Sequence, residues 1–290
     1  MTDAYRWLYL DVTSGTHTAV AIFMHGSPFS AGYSARAAYG ARPEEHSAVN
    51  FALYESGRRV AWVMTEYGKG SWLDGDVAIG GSSLRIDRSG RVTIEITERT
   101  APWGRPVQAK IELEPLAPGL RELELVPGAP HYWHPRAPYA QAKVEVASHD
   151  LRFEGRGYFD SNRGGELLGP QLPGWRWARL HTRKATEVLY EPPAGAIQVW
   201  SGDAGTSMRR TPERPLELTR TGWGLPVPRT FAPATWPSLS EPMMLESSPF
   251  YARMQCAAPN AELLAEVADF RRFHRPTVRW MARFRTRVEA

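Results

Sequence analysis

Proline and glycine interrupt this chain so often that short strands are favoured over long helices. There are 24 Pro and 25 Gly in 290 residues, and the runs between them are β-branched and aromatic. In the first half, Arg6 to Val12, Thr16 to Met24, Ser47 to Tyr54 and Arg59 to Met64 alternate or run β-rich, as do Ser83 to Asp87, Arg91 to Thr97, Val107 to Leu113 and Arg121 to Val126. The breaks carry turn chemistry: Ser56-Gly57, Asp74-Gly75-Asp76, Arg88-Ser89-Gly90, Pro118-Gly119 and Pro127-Gly128. Strands this closely spaced predict a meander that closes into a barrel or sandwich.

The segment from Pro127 to Pro138 holds four prolines and the cluster His131-Tyr132-Trp133-His134. It is the best boundary in the chain and divides it into residues 1–135 and 136–290. Strand character returns at Lys143 to Ala147, Leu151 to Glu154, Gly174 to Thr182, Thr186 to Tyr190, Ala196 to Trp200 and Leu216 to Thr219. A late helix is predicted from a cap at Asn260, with Glu262 in its first turn, Leu263, Val267 and Phe270 on one face, and Pro276 as its stop. The tail from Val278 to Arg287 alternates arginine with apolar residues. It reads as a closing strand with a solvated basic face, or as a contact with anionic lipid headgroups.

Composition excludes several functions. The 35 Lys and Arg against 31 Asp and Glu leave a net charge of +4, too small and too dispersed for nucleic-acid binding. The single cysteine, Cys256, permits no disulfide framework, which points to a reducing, cytoplasmic setting. No signal peptide is expected at the N-terminus, and no apolar run approaches the roughly 18 residues that span a bilayer. There is no phosphate-binding glycine loop and no nucleophile elbow. The eight histidines lack helical metal spacing; His131 and His134 could share one metal, but no partner is evident. Neither a metal nor a cofactor is expected.

The chemistry concentrates in Gly157-Tyr158-Phe159-Asp160-Ser161-Asn162-Arg163-Gly164, near Trp175-Arg176-Trp177. In a strand, Tyr158 and Asp160 share a face. A carboxyl facing an apolar cavity has its protonated form favoured by desolvation and can act as a general acid. Asp160 reads equally as a turn aspartate bonded to its own loop. Glu66 ends an apolar strand, either inside a barrel or at a solvated strand end. Arg163 could pair with either acid, which would depress that acid's pKa. Trp62, Trp133, Trp175 and Trp177 are core residues by default; Trp133, in a proline-flanked loop, has the strongest claim to face a cation, worth roughly 0.5–2 kcal/mol.

This octapeptide and the following Trp175-Arg176-Trp177-Ala178-Arg179 resemble the central signature of bacterial carotenoid 1,2-hydratases, or hydroxyneurosporene synthases. The segments Phe23-Met24-His25-Gly26-Ser27-Pro28-Phe29-Ser30-Ala31-Gly32-Tyr33, His46 to Tyr54 and Trp62 to Glu66 are similar to the family as well. The resemblance implies an all-β protein of two lipocalin-like antiparallel β-barrels with a short C-terminal helix and no cofactor. It also implies addition of water to the terminal double bond of an acyclic carotenoid such as neurosporene or lycopene. Family residues map onto Asp160, Tyr158 and Trp133 as catalytic groups. Ser161 departs from the histidine or threonine often found there, which bears on substrate preference. Chemistry agrees: hydrating a trisubstituted alkene needs an acid (Asp160), an orienting group (Tyr158), an aromatic face for the tertiary cation (Trp133) and a positioned water. Glu66 and Asn162 are water-positioning candidates, and Arg163, Trp175 and Trp177 complete the substrate contacts. The polyene resides in a membrane, so peripheral contact through the tail, at the inner membrane, is expected. A cofactor-free polyene cyclase or isomerase and a non-catalytic isoprenoid or lipid binder remain as alternatives.

Overall fold

The computed structural model describes residues 3–73, 75–193, 195–213, 216–231 and 236–289; Asp74 of the second expected turn lies outside them. Twelve strands come first: β1 (Tyr5–Ser14), β2 (His17–His25), β3 (Ser47–Glu55), β4 (Arg58–Tyr67), β5 (Ser71–Leu73), β6 (Asp76–Ile79), β7 (Ser82–Ile86), β8 (Val92–Arg99), β9 (Pro106–Pro115), β10 (Leu123–Glu124), β11 (His131–Val146) and β12 (Leu151–Gly164). They form one sheet in the order β4-β3-β2-β1-β12-β11-β9-β8-β7-β6-β5, with β10 on β11. The sheet curls until its ends meet. Val49 and Phe51 of β3 share an apolar cluster with Ile94 of β8 and Ile111 of β9, and Tyr67 of β4 donates to Glu98 of β8 at 3.1 Å.

A second sheet contains β13 (Gly174–Thr182), β14 (Ala185–Glu191), β15 (Ala196–Gly202) and β16 (Gly205–Thr211). A small hairpin of β17 (Leu218–Arg220) and β18 (Pro226–Pro228) follows, and β19 (Met243–Ser247), β20 (Tyr251–Ala258) and β21 (Ala261–Asp269) complete the sheet. Its order is β16-β15-β14-β13-β21-β20-β19. The final strand, β22 (Arg287–Glu289), returns to the first sheet in parallel with β4. The protein is all-β, built of two lipocalin-like curled sheets. The chain passes from one to the other between Gly164 and Gly174, and residues 135 and 136 both lie inside β11.

Strand β1 explains how the sheets meet. Leu8, Leu10 and Val12 point into the curl of the first sheet. Trp7 and Tyr9, on the opposite face, pack with Trp175, Trp177 and Tyr190 of the second. Both faces are buried, so the strand reads as a near-continuous apolar run. Deeper along the same face, buried Asp11 pairs with buried Arg179 of β13.

Four expectations are corrected. Residues 260–270 are not a helix: Asn260, with φ +68°, turns the chain after Pro259, and Ala258 pairs with Ala261 across that turn. The helical spacing arose because β21 buries both faces, Leu263 and Val267 on one and Leu264 and Ala268 on the other; periodicity does not separate such a strand from a helix. The C-terminal helices are instead α2 (Phe270–Phe273) and α3 (Pro276–Arg283), preceded by α1 (Ala31–Arg36) near the N-terminus. Pro276 opens α3 rather than stopping a helix, occupying the first turn, where its missing N–H costs nothing. The expected closing strand over 278–287 is therefore largely helical. The proline-rich segment is also not a loop from residue 131 onward: β11 runs through Pro135 and Pro138 by shifting register between Pro135 and Ala137 and between Ala137 and Ala140.

Candidate active site

The site grows from β12. Alternation places Tyr158 with Trp177 in the cluster between the sheets and Phe159 in the core of the first. Tyr9 of β1 and Pro135 of β11 are the register partners of Asp160, and Trp133 is the partner of Asn162.

Asp160 is only 3% exposed. Tyr158 Oη donates to its Oδ2 at 2.6 Å, and Trp133 Nε1 donates to the same oxygen at 2.8 Å. Asn162 Nδ2 approaches Oδ1 at 3.5 Å. Burial pushes the carboxyl up to about 7. The bonds from Tyr158 and Trp133 pull the other way, and the charges of Glu266 and Asp11 add to the rise. Burial also holds the Tyr158 hydroxyl well above its ordinary range, so it stays a donor. With two donors on Oδ2, the proton of the neutral acid belongs on Oδ1.

Asp160 and Asn162 line a cavity of roughly 1070 Å³, counting its open mouth. Aromatic rings form much of its wall. Trp7 stacks on Trp175 with centroids 5.7 Å apart; Trp177 lies 5.5 Å from Tyr9 and 5.2 Å from Tyr158. Tyr190 packs on Trp133 at 5.1 Å. Further along the wall is a second polar group. Tyr9 Oη donates to Glu266 Oε1 at 3.1 Å, and Arg253 Nε donates to the same oxygen at 2.9 Å. Arg253 Nη1 also donates to Glu246 Oε1 at 2.9 Å and to Tyr54 Oη at 3.0 Å. The part-exposed lining residues Phe29, Trp62, Phe250, Ala282 and Arg285 mark the solvent-facing side. An apolar ligand in this space meets one carboxyl raised by burial, several π faces and two carboxylates, Glu266 and Glu246, paired with Arg253.

The family model described as Carotenoid hydratase CrtC matches residues 21–289. The chain belongs to the carotenoid hydratase family. It is 35% identical over 297 residues to the acyclic carotenoid 1,2-hydratase of Thiocapsa roseopersicina, covering 97% of this chain and 72% of that protein. It is 32% identical over 270 residues to the acyclic carotenoid 1,2-hydratase of Rubrivivax gelatinosus, covering 86% of this chain and 64% of that one. In fold it is similar to a protein named as AttH from Nitrosomonas europaea, with a TM-score of 0.61, 14% identity and 92% of each chain covered.

The hydratase brings Asp160, Tyr158, Trp133 and Asn162 together, with Trp175 and Trp177 on the same cavity wall. Trp133 is fully buried behind Asp160 on strand β11, and its ring packs on Tyr190. Glu66 lies elsewhere, its Oε1 2.6 Å from His46 Nδ1. Arg163 pairs with neither Asp160 nor Glu66. One residue on from Asn162, it points away from the cavity, binds Glu122 at 2.8 Å and Asp3 at 3.2 Å, and lies over the Tyr132 ring. Ser161 likewise turns away and accepts from Arg136 at 2.9 Å. Gly164 admits the Tyr5 ring, which a Cβ there would overlap. His131 and His134, three apart on β11, face opposite sides; His131 is bound by Tyr5 at 2.9 Å. Among the described residues no three His, Cys, Asp or Glu side chains gather as a metal-binding group.

Sequence reasoning missed Tyr9, Tyr190, Glu246, Arg253 and Glu266. The last two face each other across the two-residue turn at Pro259-Asn260, a pairing that appears only once residues 260–270 are seen to be a strand.

Proposed function

We propose that this hydratase adds water across the terminal double bond of an acyclic carotenoid of the neurosporene or lycopene type. The reaction proceeds by acid catalysis through a tertiary carbocation and without a cofactor. The observation that carries this reading is the buried Asp160 carboxyl, raised to about 7 beside an apolar cavity. An acid of that strength is substantially protonated near neutral pH and strong enough to release its proton to a bound alkene. Tyr158 and Trp133 hold Oδ2, so Oδ1 delivers the proton. Trp133 then orients the acid and does not itself face the cation; Trp177 and Trp7, which line the cavity, supply the π faces. Asn162 holds the carboxyl in place and is itself held by Tyr190 at 3.4 Å.

Delivery of a polyene from a lipid surface is supported by α3. Its Trp280 and the Phe284 that follows its last residue are 61% and 62% exposed and pack edge to face at 4.7 Å. Arg283 is exposed beside them, while Met281 and Ala282 pack against the cluster between the sheets. One side of the helix thus borders the cavity, and the other presents the aromatic and cationic mixture that suits an anionic membrane interface.

Incubation with lycopene in water labelled with ¹⁸O tests the reaction. The expected product carries one labelled oxygen per hydrated end and is not formed by Asp160→Asn. An isomer of unchanged mass would indicate a cyclase, and fluorescence quenching without turnover would indicate a binder.

A further inference from the structure

We infer that Glu266 is the base of this reaction, taking the proton from the water that captures the carbocation. The inference rests on the hydratase reading above and assigns its unfilled role. Asp160 and Glu266 line one cavity, and Trp177 lies between their elements. It pairs with Glu266 in register, and its ring packs on Tyr158, the donor to Asp160. The two carboxyl groups have opposite surroundings. Asp160 has no cation within bonding distance, only neutral donors. Glu266 is 2.9 Å from the guanidinium of Arg253, a residue 1% exposed. Two carboxyl groups with environments this different divide naturally into an acid and a base.

Tyr9 joins the halves: it is the register partner of Asp160, and its hydroxyl donates to Glu266. The steps balance. The Asp160 O–H bond breaks as a C–H bond forms on the terminal alkene, leaving a tertiary cation. The water oxygen bonds to that carbon, and its proton passes to the Glu266 carboxylate. Solvent exchange through the cavity mouth then returns Asp160 and Glu266 to their starting protonation. Asn162, already engaged with Asp160 and Tyr190, is left to position the acid.

The experiment follows deuterium from D₂O into both product and recovered alkene. Without a base, the cation survives long enough to lose a proton back to Asp160, so recovered alkene becomes labelled. Glu266→Gln is expected to lower hydration about 100-fold while exchange into the alkene persists; Glu266→Asp, which keeps the charge, should show a raised exchange-to-hydration ratio with partial activity. Asp160→Asn should abolish both. Unchanged hydration in Glu266→Gln, or parallel loss of exchange and hydration in both Glu266 variants, overturns the assignment. Absence of hydration and exchange in the unmodified protein would instead overturn the hydratase reading itself.

Discussion

Asp160→Asn tests the buried acid through stability as well as rate. Asparagine reproduces the neutral carboxyl: its carbonyl can accept from Tyr158 and Trp133, and its amide replaces the protonated oxygen. What it removes is the titration. In the native protein Asp160 rises from an ordinary 3.8 to about 7. A raised carboxyl favours the fold fully below the unfolded pKa, and that contribution is lost as pH climbs through the folded one. Between pH 5 and 7 the native carboxyl keeps its proton while the unfolded one has lost it. Native stability therefore falls by about 1.4 kcal/mol per pH unit from this group, roughly 3 kcal/mol over the interval. Other titrating groups are common to both proteins and cancel in the difference. Chemical denaturation of both at pH 5 and pH 9 should therefore show the variant gaining about 3 kcal/mol relative to the parent at the higher pH. A difference that does not change with pH would mean that Asp160 titrates in its ordinary range and that the acid argument fails.

Three further outcomes follow from the same contacts. Turnover should be carried by protonated Asp160, so the rate falls about tenfold per unit above pH 7; Tyr158→Phe, by removing a donor that lowers this carboxyl, should move that limb to higher pH and slow turnover roughly 10–100-fold, read from pH–rate profiles. Arg253→Met strips the counterion from Glu266 and Glu246 inside the protein, an expected loss of about 3–5 kcal/mol in denaturant unfolding. Replacing Trp280 and Phe284 by serine should weaken binding to anionic vesicles in co-sedimentation without changing thermal stability appreciably, since both are mostly exposed; equal binding by parent and variant would remove α3 from the membrane contact.

The legibility of this sequence follows its physics. Strands β1 to β4 could be read because turn residues bracket them and β-branched and aromatic residues fill them. Residues 260–270 could not, because a strand buried on both faces loses the alternation that identifies it. The stretch around Trp133 was obscured by prolines, which strands tolerate only where the ladder is irregular, here at two register shifts. Tyr158, Asp160 and Asn162 were legible as neighbours two residues apart on one strand. Glu266 and Arg253 were not, because they reach the same cavity from a distant hairpin.

The sequence by itself determined the β architecture, the family and the strand that carries the acid, because these depend on local pattern and spacing. The tertiary structure alone decided which carboxyl is isolated and which is paired. Trp133 reaches Asp160 from 27 positions away, and Arg253 braces Glu266 across a hairpin. A carboxyl's strength is set by the water, charges and donors within a few ångströms of it, and only folding two sheets face to face assembles those surroundings.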